Sequence, residues 1–290
     1  DARGAGWAAT GRRWLEERAQ ALVMADGSFS QYSVTYHRVM LDTYALAEVW
    51  RTRRSLPAFS GALLQRLAAA ARWLATLVDA DTGDAPNIGA SDGARLLPGS
   101  DTGYRDFRPS VQLASALFSA SRAYPPGTAD GLATWLGVAL PHAVAPSPAS
   151  QTCDDGGWHV LRNTRAVAVL RYPRFRFRPG QADALHLDLI VDGVNLLRDA
   201  GTYSYNDPAM PDGDFAGTRF HNTISFDDAD QMPKLSRFLF GDWIEAEAVE
   251  SVHAAEAGQS AAAAYRDHRG NRHYRRVTLT DVGFTCTDII

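Results

Sequence analysis

The sequence predicts an α+β, multidomain chain, an all-α half joined to an antiparallel β-sandwich, and three observations support this. Apolar residues recur with helical spacing up to about residue 140 and with a spacing of two after about residue 153. Between them, 141–152 carries three prolines and several small polar residues, the composition of a linker. Asp192-Gly193 and Gly270-Asn271 are hairpin-type turns set among the alternating runs. The predicted division is therefore 1–140 helical, 141–152 linker and 153–290 sandwich, with the last part C-terminally truncated.

Trp7, Trp14, Leu15, Ala19 and Leu22 define one face of a first helix, which Asp26-Gly27 closes. A second helix is expected over 33–54, carrying Tyr36, Met40, Tyr44, Ala47 and Val49. Pro57 separates it from a third over 59–78, rich in alanine and leucine. A Gly/Asp-rich loop over 79–108 follows, long enough to imply a functional or mobile role. A further helix restarts after Pro109 and ends near Tyr124. The recurring helical pairs could be one arc of an α/α toroid. In the second half, strands are expected at 158–160, 166–170, 174–178, 185–191, 194–197, 223–226, 243–249 and 275–279.

At 290 residues the chain can hold one large domain or two ordinary ones, and 46% hydrophobic with 21% charged residues is a globular balance. A net charge of -4 gives no argument for a nucleic-acid partner, although local arginine clusters still suit an anionic polymer. Lys234 is the only lysine, which reads as coding bias or as a preference for planar carboxylate recognition. Two cysteines are too few for a disulfide framework or a thiolate metal site, and no apolar run is long enough for a membrane segment. A start at Asp1 without methionine, and an end at Ile290 inside an apparent strand, read as a fragment, so compartment is open.

Asp183, His186, Asp188, Asp199, Tyr203, Tyr205, Arg219, His221 and Asn222 fall within forty residues, more polar groups than a plain sandwich needs. Strict alternation puts Gln181, Asp183, Leu185 and Leu187 on one face and His186 with Asp188 on the other. A cluster holding both Asp183 and His186 would need a bulge or a strand end. Asp199 and His221 with either Asp183 or His186 could bind a zinc-type metal, and the alternative is a buried hydrogen-bonded network. In the helical half, Tyr36 and His37 sit at a helix start about 100° apart, so only one can face a cleft. Asn87, Asp92, Asp106 and Arg108 lie near helix boundaries; Asp92-Gly93 reads as a turn, and Asp106 can simply pair with Arg108. No phosphate loop or nucleophile elbow is present.

Together, DGSFSQYSVTYH at 26–37, NIGASDGA at 87–94 with DFRP at 106–109, and DALHLDL…GVNLLRDAGTYSYN at 183–206 followed by HNTI and DADQ resemble the heparinase II/III-like polysaccharide lyases. That family includes alginate and oligo-alginate lyases. The resemblance implies the C-terminal part of an incomplete α/α toroid followed by a β-sandwich, acting on a uronic-acid-containing, acidic polysaccharide by β-elimination. It gives Tyr36 the acid role, and potentially the base role, while His37 would bind or orient substrate. Asn87, Arg108, Arg219, His221 and Asn222 become candidate substrate contacts. The metal set, where one exists, would be Asp199 and His221 with Asp183, so zinc is the one cofactor implied. Relatives with a zinc site carry H-x-H-x-D where this chain has Pro179-Gly180-Gln181-Ala182-Asp183. The residue that neutralises the substrate carboxylate in relatives would precede Asp1.

Family habit suggests a periplasmic or secreted protein. Retention of Tyr36 favours a lyase. Loss of the histidine pair favours a non-catalytic glycan-binding relative serving exopolysaccharide assembly or export. A glycoside hydrolase would need two facing carboxylates, and Asp154-Asp155 is a poor pair.

Overall fold

A computed structural model describes residues 2–205, 207 and 215–290; Asn206, the last residue of the 183–206 motif, lies outside them. The helical part comprises α1 (Ala2–Leu22), α2 (Val34–Arg53), α3 (Gly61–Leu77), α4 (Arg108–Ser119) and the short α5 (Gly131–Trp135). The β part begins with β1 (Gln151–Cys153), β2 (Trp158–Arg162), β3 (Ala166–Arg171), β4 (His186–Val191) and β5 (Val194–Leu197), which pair antiparallel in that order. A small hairpin of β6 (Lys234–Ser236) and β7 (Leu239–Phe240) follows. The second sheet contains β8 (Ala246–Ala255), β9 (Gly258–Arg266), β10 (Arg272–Leu279) and β11 (Phe284–Ile289), also antiparallel. Among the described residues no helix is long and apolar enough to cross a membrane.

Helix starts follow local chemistry. The Ser33 hydroxyl accepts the Tyr36 N–H at 3.0 Å and so caps α2, and Ser60 caps α3 by accepting from Leu63. Pro109 occupies the first turn of α4, where its missing N–H costs nothing. The face expected on α1 is only partly buried. Ala19 is in the core and Leu15 packs against it, but Trp7 and Trp14 are exposed.

The central strands β2, β3 and β4 have no solvent side, whereas the edge strand β5 exposes Val194 and Leu196. Leu161, Ala168, Leu170, Leu187 and Leu189 face the second sheet, where Ala261, Ala263, Tyr265, Val277 and Leu279 complete one core. Val160, Val167, Val169 and Ile190 point the other way and join Leu74, Leu77 and Trp73 of α3 in a second core. Such strands read as near-continuous apolar runs, as β3 does. The helices thus cover one face of the sandwich.

Two expected strands are absent. Residues 174–178 lie between Pro173 and Pro179, and the N–H groups of Arg176 and Phe177 are donated to the Tyr32 hydroxyl instead of a ladder. Residues 223–226 form bends and an isolated bridge. Conversely, β9 contains a run of four alanines with no alternation, yet it is buried between β8 and β10. The turns at 192–193 and 270 take left-handed φ angles, as hairpin turns require.

Three side chains lock the helices to the sheet. Tyr32 sends its hydroxyl to the 174–177 segment, and its ring lies 5.0 Å from the Arg171 guanidinium. Arg171 is fully buried, donates to the carbonyls of Gly156, Gly157 and Tyr172, and also stacks near Trp158 and Phe175. Gln181 accepts the Gly89 N–H at 2.9 Å and donates to the Gly201 carbonyl at 3.3 Å. Gly89 is required at this seam, because at φ +89° a Cβ would lie 2.3 Å from the Tyr32 carbonyl oxygen.

Burial holds two interior imidazoles neutral. Desolvation pushes His37 and His159 down to about 4, while it pushes the Asp42 carboxyl up to about 6. The unfolded chain protonates the histidines near 6.5 but the folded chain refuses until about 4, so their contribution is lost as pH falls through that window. Asp42 acts oppositely between about 6 and 3.8. Each group is worth at most about 1.4 kcal/mol per pH unit, and two outweigh one. The urea midpoint should therefore fall from pH 6.5 to 4.5, and fall more steeply in Asp42→Asn. An equal or shallower fall in that variant would contradict this assignment.

Candidate active site

Ser33 fixes the site by performing two tasks at once. Its hydroxyl caps α2 and donates to the Ala90 carbonyl at 2.7 Å, which brings the 87–94 loop against the first turn. Tyr36 then projects into a cleft of about 220 Å³ lined by Gln31, Ala90, Arg178, Gly180, Tyr205 and Phe238. The Tyr36 and Tyr205 hydroxyls are 3.2 Å apart, and Phe238 holds the Tyr205 ring edge-to-face at 5.0 Å. Helix, loop and sandwich segments meet there.

Burial raises the Tyr36 phenol; the bond from Tyr205 opposes this, and the Asp92 carboxylate adds to it. Tyr205 is raised further, by burial and then by Tyr36. Within the pair, Tyr36 is thus the first to ionise, because the Tyr205 O–H can donate to its phenolate.

His37 does not reach the cleft. Its ring is fully buried, stacks on Trp73 at 4.4 Å and bonds to the Ala70 carbonyl at 2.9 Å, so the expected substrate contact is replaced by a core role. The 100° divergence of neighbours on a helix gave one cleft residue, and it is Tyr36.

The other sequence-derived contacts also lie elsewhere. Arg108 forks onto Asp106 and donates to the Ala80 and Asp81 carbonyls, anchoring the start of α4. Asp106 and Arg108 thus simply pair. Asn87 reaches the Asp199 and Ala200 carbonyls and accepts from Arg105. Asn222 donates to the Leu187 and Arg198 carbonyls. Arg219 is exposed with its guanidinium over Phe220, and Tyr203 is exposed too. None of these lines the Tyr36 cleft.

The sandwich also holds a buried network. The His221 Nδ1 is 2.7 Å from the Asp199 carboxylate, whose other oxygen accepts the Gly201 N–H at 2.6 Å. His186 completes the cluster, with one donor atom from each of the three residues within 4.8 Å of the others. Asp183 is replaced in this role. Leu185 adopts a left-handed φ of 55°, so β4 starts only at His186 and Asp183 turns toward Arg171, 3.9 Å away. This is the strand-end solution that alternation demanded. Burial pushes Asp199 up, but His186 and His221 outweigh it and hold the carboxyl low; burial pushes His221 down, and Asp199 outweighs that. Asp188 accepts from Asn195 and from the Asp199 N–H, so it braces the turn.

Sequence reasoning singled out neither Arg178 nor the pairing of Tyr205 with Tyr36. Arg178 lay inside an expected strand, and no local signal separates it from Arg174 and Arg176.

No curated protein matches the chain. Among solved structures, the heparan sulfate lyase HepC from Pedobacter heparinus superposes with a TM-score of 0.70 at 21% identity, covering 98% of this chain and 41% of that one. A heparinase III gives a TM-score of 0.62 at 18% identity, covering 96% and 42%. The chain therefore spans about two fifths of the length of these structures, and at such identities the likeness establishes the fold: the C-terminal part of an incomplete toroid followed by a sandwich. The family profile described as heparinase II/III-like, C-terminal, matches 145–290, half of the sequence. The chain belongs to that heparinase II/III-like family.

Proposed function

We propose that the protein is a polysaccharide lyase that cleaves an acidic, uronate-containing glycan by β-elimination, with Tyr36 as the proton-transfer residue. The observation that carries this reading is the Tyr36 hydroxyl, set in an open cleft and bonded to a second phenol. As a phenolate accepting from Tyr205, Tyr36 takes the proton from C5. The C4–C5 double bond forms, the C4–O4 bond breaks, and the new phenol returns the proton to O4. An acidic glycan is the substrate class of the structurally similar heparan sulfate lyases, which supports this reading, and a periplasmic or secreted setting would suit such a polymer. Pro179, where relatives carry an imidazole, favours one competing reading: a glycan-binding protein without turnover, serving exopolysaccharide assembly or export.

A zinc-type cation would be held by His186, Asp199 and His221. The donor set suits one, and the Nε2 atoms of both histidines are buried without a hydrogen bond of good geometry. Such a cation would supply fixed positive charge that ties the 199–201 turn to β4. Gln181 is outside the set, because both ends of its amide are engaged with backbone.

Two experiments follow. Alginate, heparan sulfate, hyaluronan and a bacterial acidic exopolysaccharide are each incubated with the protein while absorbance of the new double bond is recorded. Absorbance should grow, climb with pH through at least pH 9 because the phenol is raised, and fall about 100-fold or more in Tyr36→Phe. Reducing ends without the double bond would identify a hydrolase, and binding with neither signal a binding protein. For the metal, zinc should raise the melting temperature of chelator-treated protein, with metal analysis showing one ion per chain, and His221→Ala should abolish both effects. Equal melting with and without zinc would leave the network as hydrogen bonds alone.

A further inference from the structure

The segment 172–180 sends three arginines outward in alternation, and the structure treats them differently. Arg174 is 3.1 Å from the Asp154 carboxylate, and Arg176 is 2.9 Å from Asp155. Both charges are neutralised within the protein. Arg178 has no hydrogen bond or ion pair among the described residues, and its exposed guanidinium lines the cleft that holds Tyr36 and Tyr205. Among the described residues it is the one cationic side chain on that lining; the Asp92 carboxylate acts on the Tyr36 hydroxyl and makes no ion pair with Arg178. The segment is also held in place. The Arg176 and Phe177 N–H groups are pinned on the Tyr32 hydroxyl, and Gln181, three residues beyond Arg178, is pinned between Gly89 and Gly201. Arg178 therefore projects from a fixed base, with Pro179 limiting the backbone that follows it.

A guanidinium with no carboxylate partner among the described residues, beside two phenols, is arranged to receive a planar anion. We propose that Arg178 is a carboxylate-recognising residue of the cleft, additional to the upstream residue that relatives use: it forks onto the uronate carboxylate of the bound sugar and places the adjacent C5 over Tyr36. This rests on the glycan reading of the site but not on turnover. Proton loss at C5 moves charge onto that carboxylate, so the contact strengthens as the reaction proceeds. Specificity follows from the same contact. A sugar whose carboxylate has been reduced to an alcohol leaves Arg178 without its partner.

The test uses the full-length protein carrying Tyr36→Phe, so that no substrate is consumed. An unsulfated glucuronate-containing tetrasaccharide and its carboxyl-reduced form are titrated by calorimetry or NMR. Arg178→Ala should weaken binding of the acidic tetrasaccharide about 10- to 100-fold while leaving the reduced form within twofold. Arg178→Lys should recover only part of the loss, because a lysine lacks the fork. Arg176→Ala, whose partner is Asp155, should change neither. Equal losses for both sugars, no loss for the acid, or no binding of the acid at millimolar concentration would each overturn the assignment. Loss confined to the acid, when the protein that retains Tyr36 forms no double bond, would keep Arg178 and discard the lyase reading. Double-bond formation by the Tyr36 protein unaffected by Arg178→Ala would do the reverse.

Discussion

Apolar side chains on both faces of β2, β3 and β4 leave these strands no solvent side, so the β part alone completes one core and not the other. One face needs the second sheet, and the other needs α3 with its Trp73, which meets Trp158 edge-on at 5.1 Å. Fixing the helices on the sheet fixes everything at their seam. Arg171 shows how strictly: a buried cation is costly unless compensated, and here backbone carbonyls and aromatic faces from both parts surround it. The cleft inherits this rigidity, because Tyr36 comes from the helices and Arg178 and Tyr205 come from the sandwich.

Among the described residues, the cleft brings together two phenols and one guanidinium that has no ion-pair partner. Where relatives with a zinc site carry two imidazoles, this chain has a proline, which fixes backbone, and a glutamine, whose amide is spent as a strap between Gly89 and Gly201. Strap and buried His–Asp–His network both bond to the same turn, 199–201. At Gly201 a Cβ would come within 2.1 Å of the Asn87 amide nitrogen, so the loop from the helical part packs directly onto that turn. Tyr205 follows four residues later, and its position depends on the turn being held.

Much of this was legible in the sequence. Helix starts were marked by Ser33 and Pro109, and the change of apolar period separated helices from strands. The adjacency of Tyr36 and His37 required one to turn inward. What was hidden depended on contacts distant in sequence. The alanines of β9 carry no alternation and are strand only because β8 and β10 flank them. Choosing His186 over Asp183 needed the left-handed turn at Leu185, a conformation leucine seldom adopts and which Arg275 supports by donating to its carbonyl at 2.6 Å. The three arginines of 174–178 are equivalent as letters, and only the positions of Asp154 and Asp155 separate them.

The central claim is that an acidic sugar lies across the helix–sandwich seam, between Tyr36, Tyr205 and Arg178. A crystal structure of Tyr36→Phe with a uronate tetrasaccharide tests it most directly. The account predicts a uronate with its carboxylate on the Arg178 guanidinium and its C5 and O4 facing position 36 and the Tyr205 hydroxyl. A sugar seated instead in the larger groove, about 600 Å³, between α3, α4 and residues 145–153, with the tyrosine cleft empty, would contradict it.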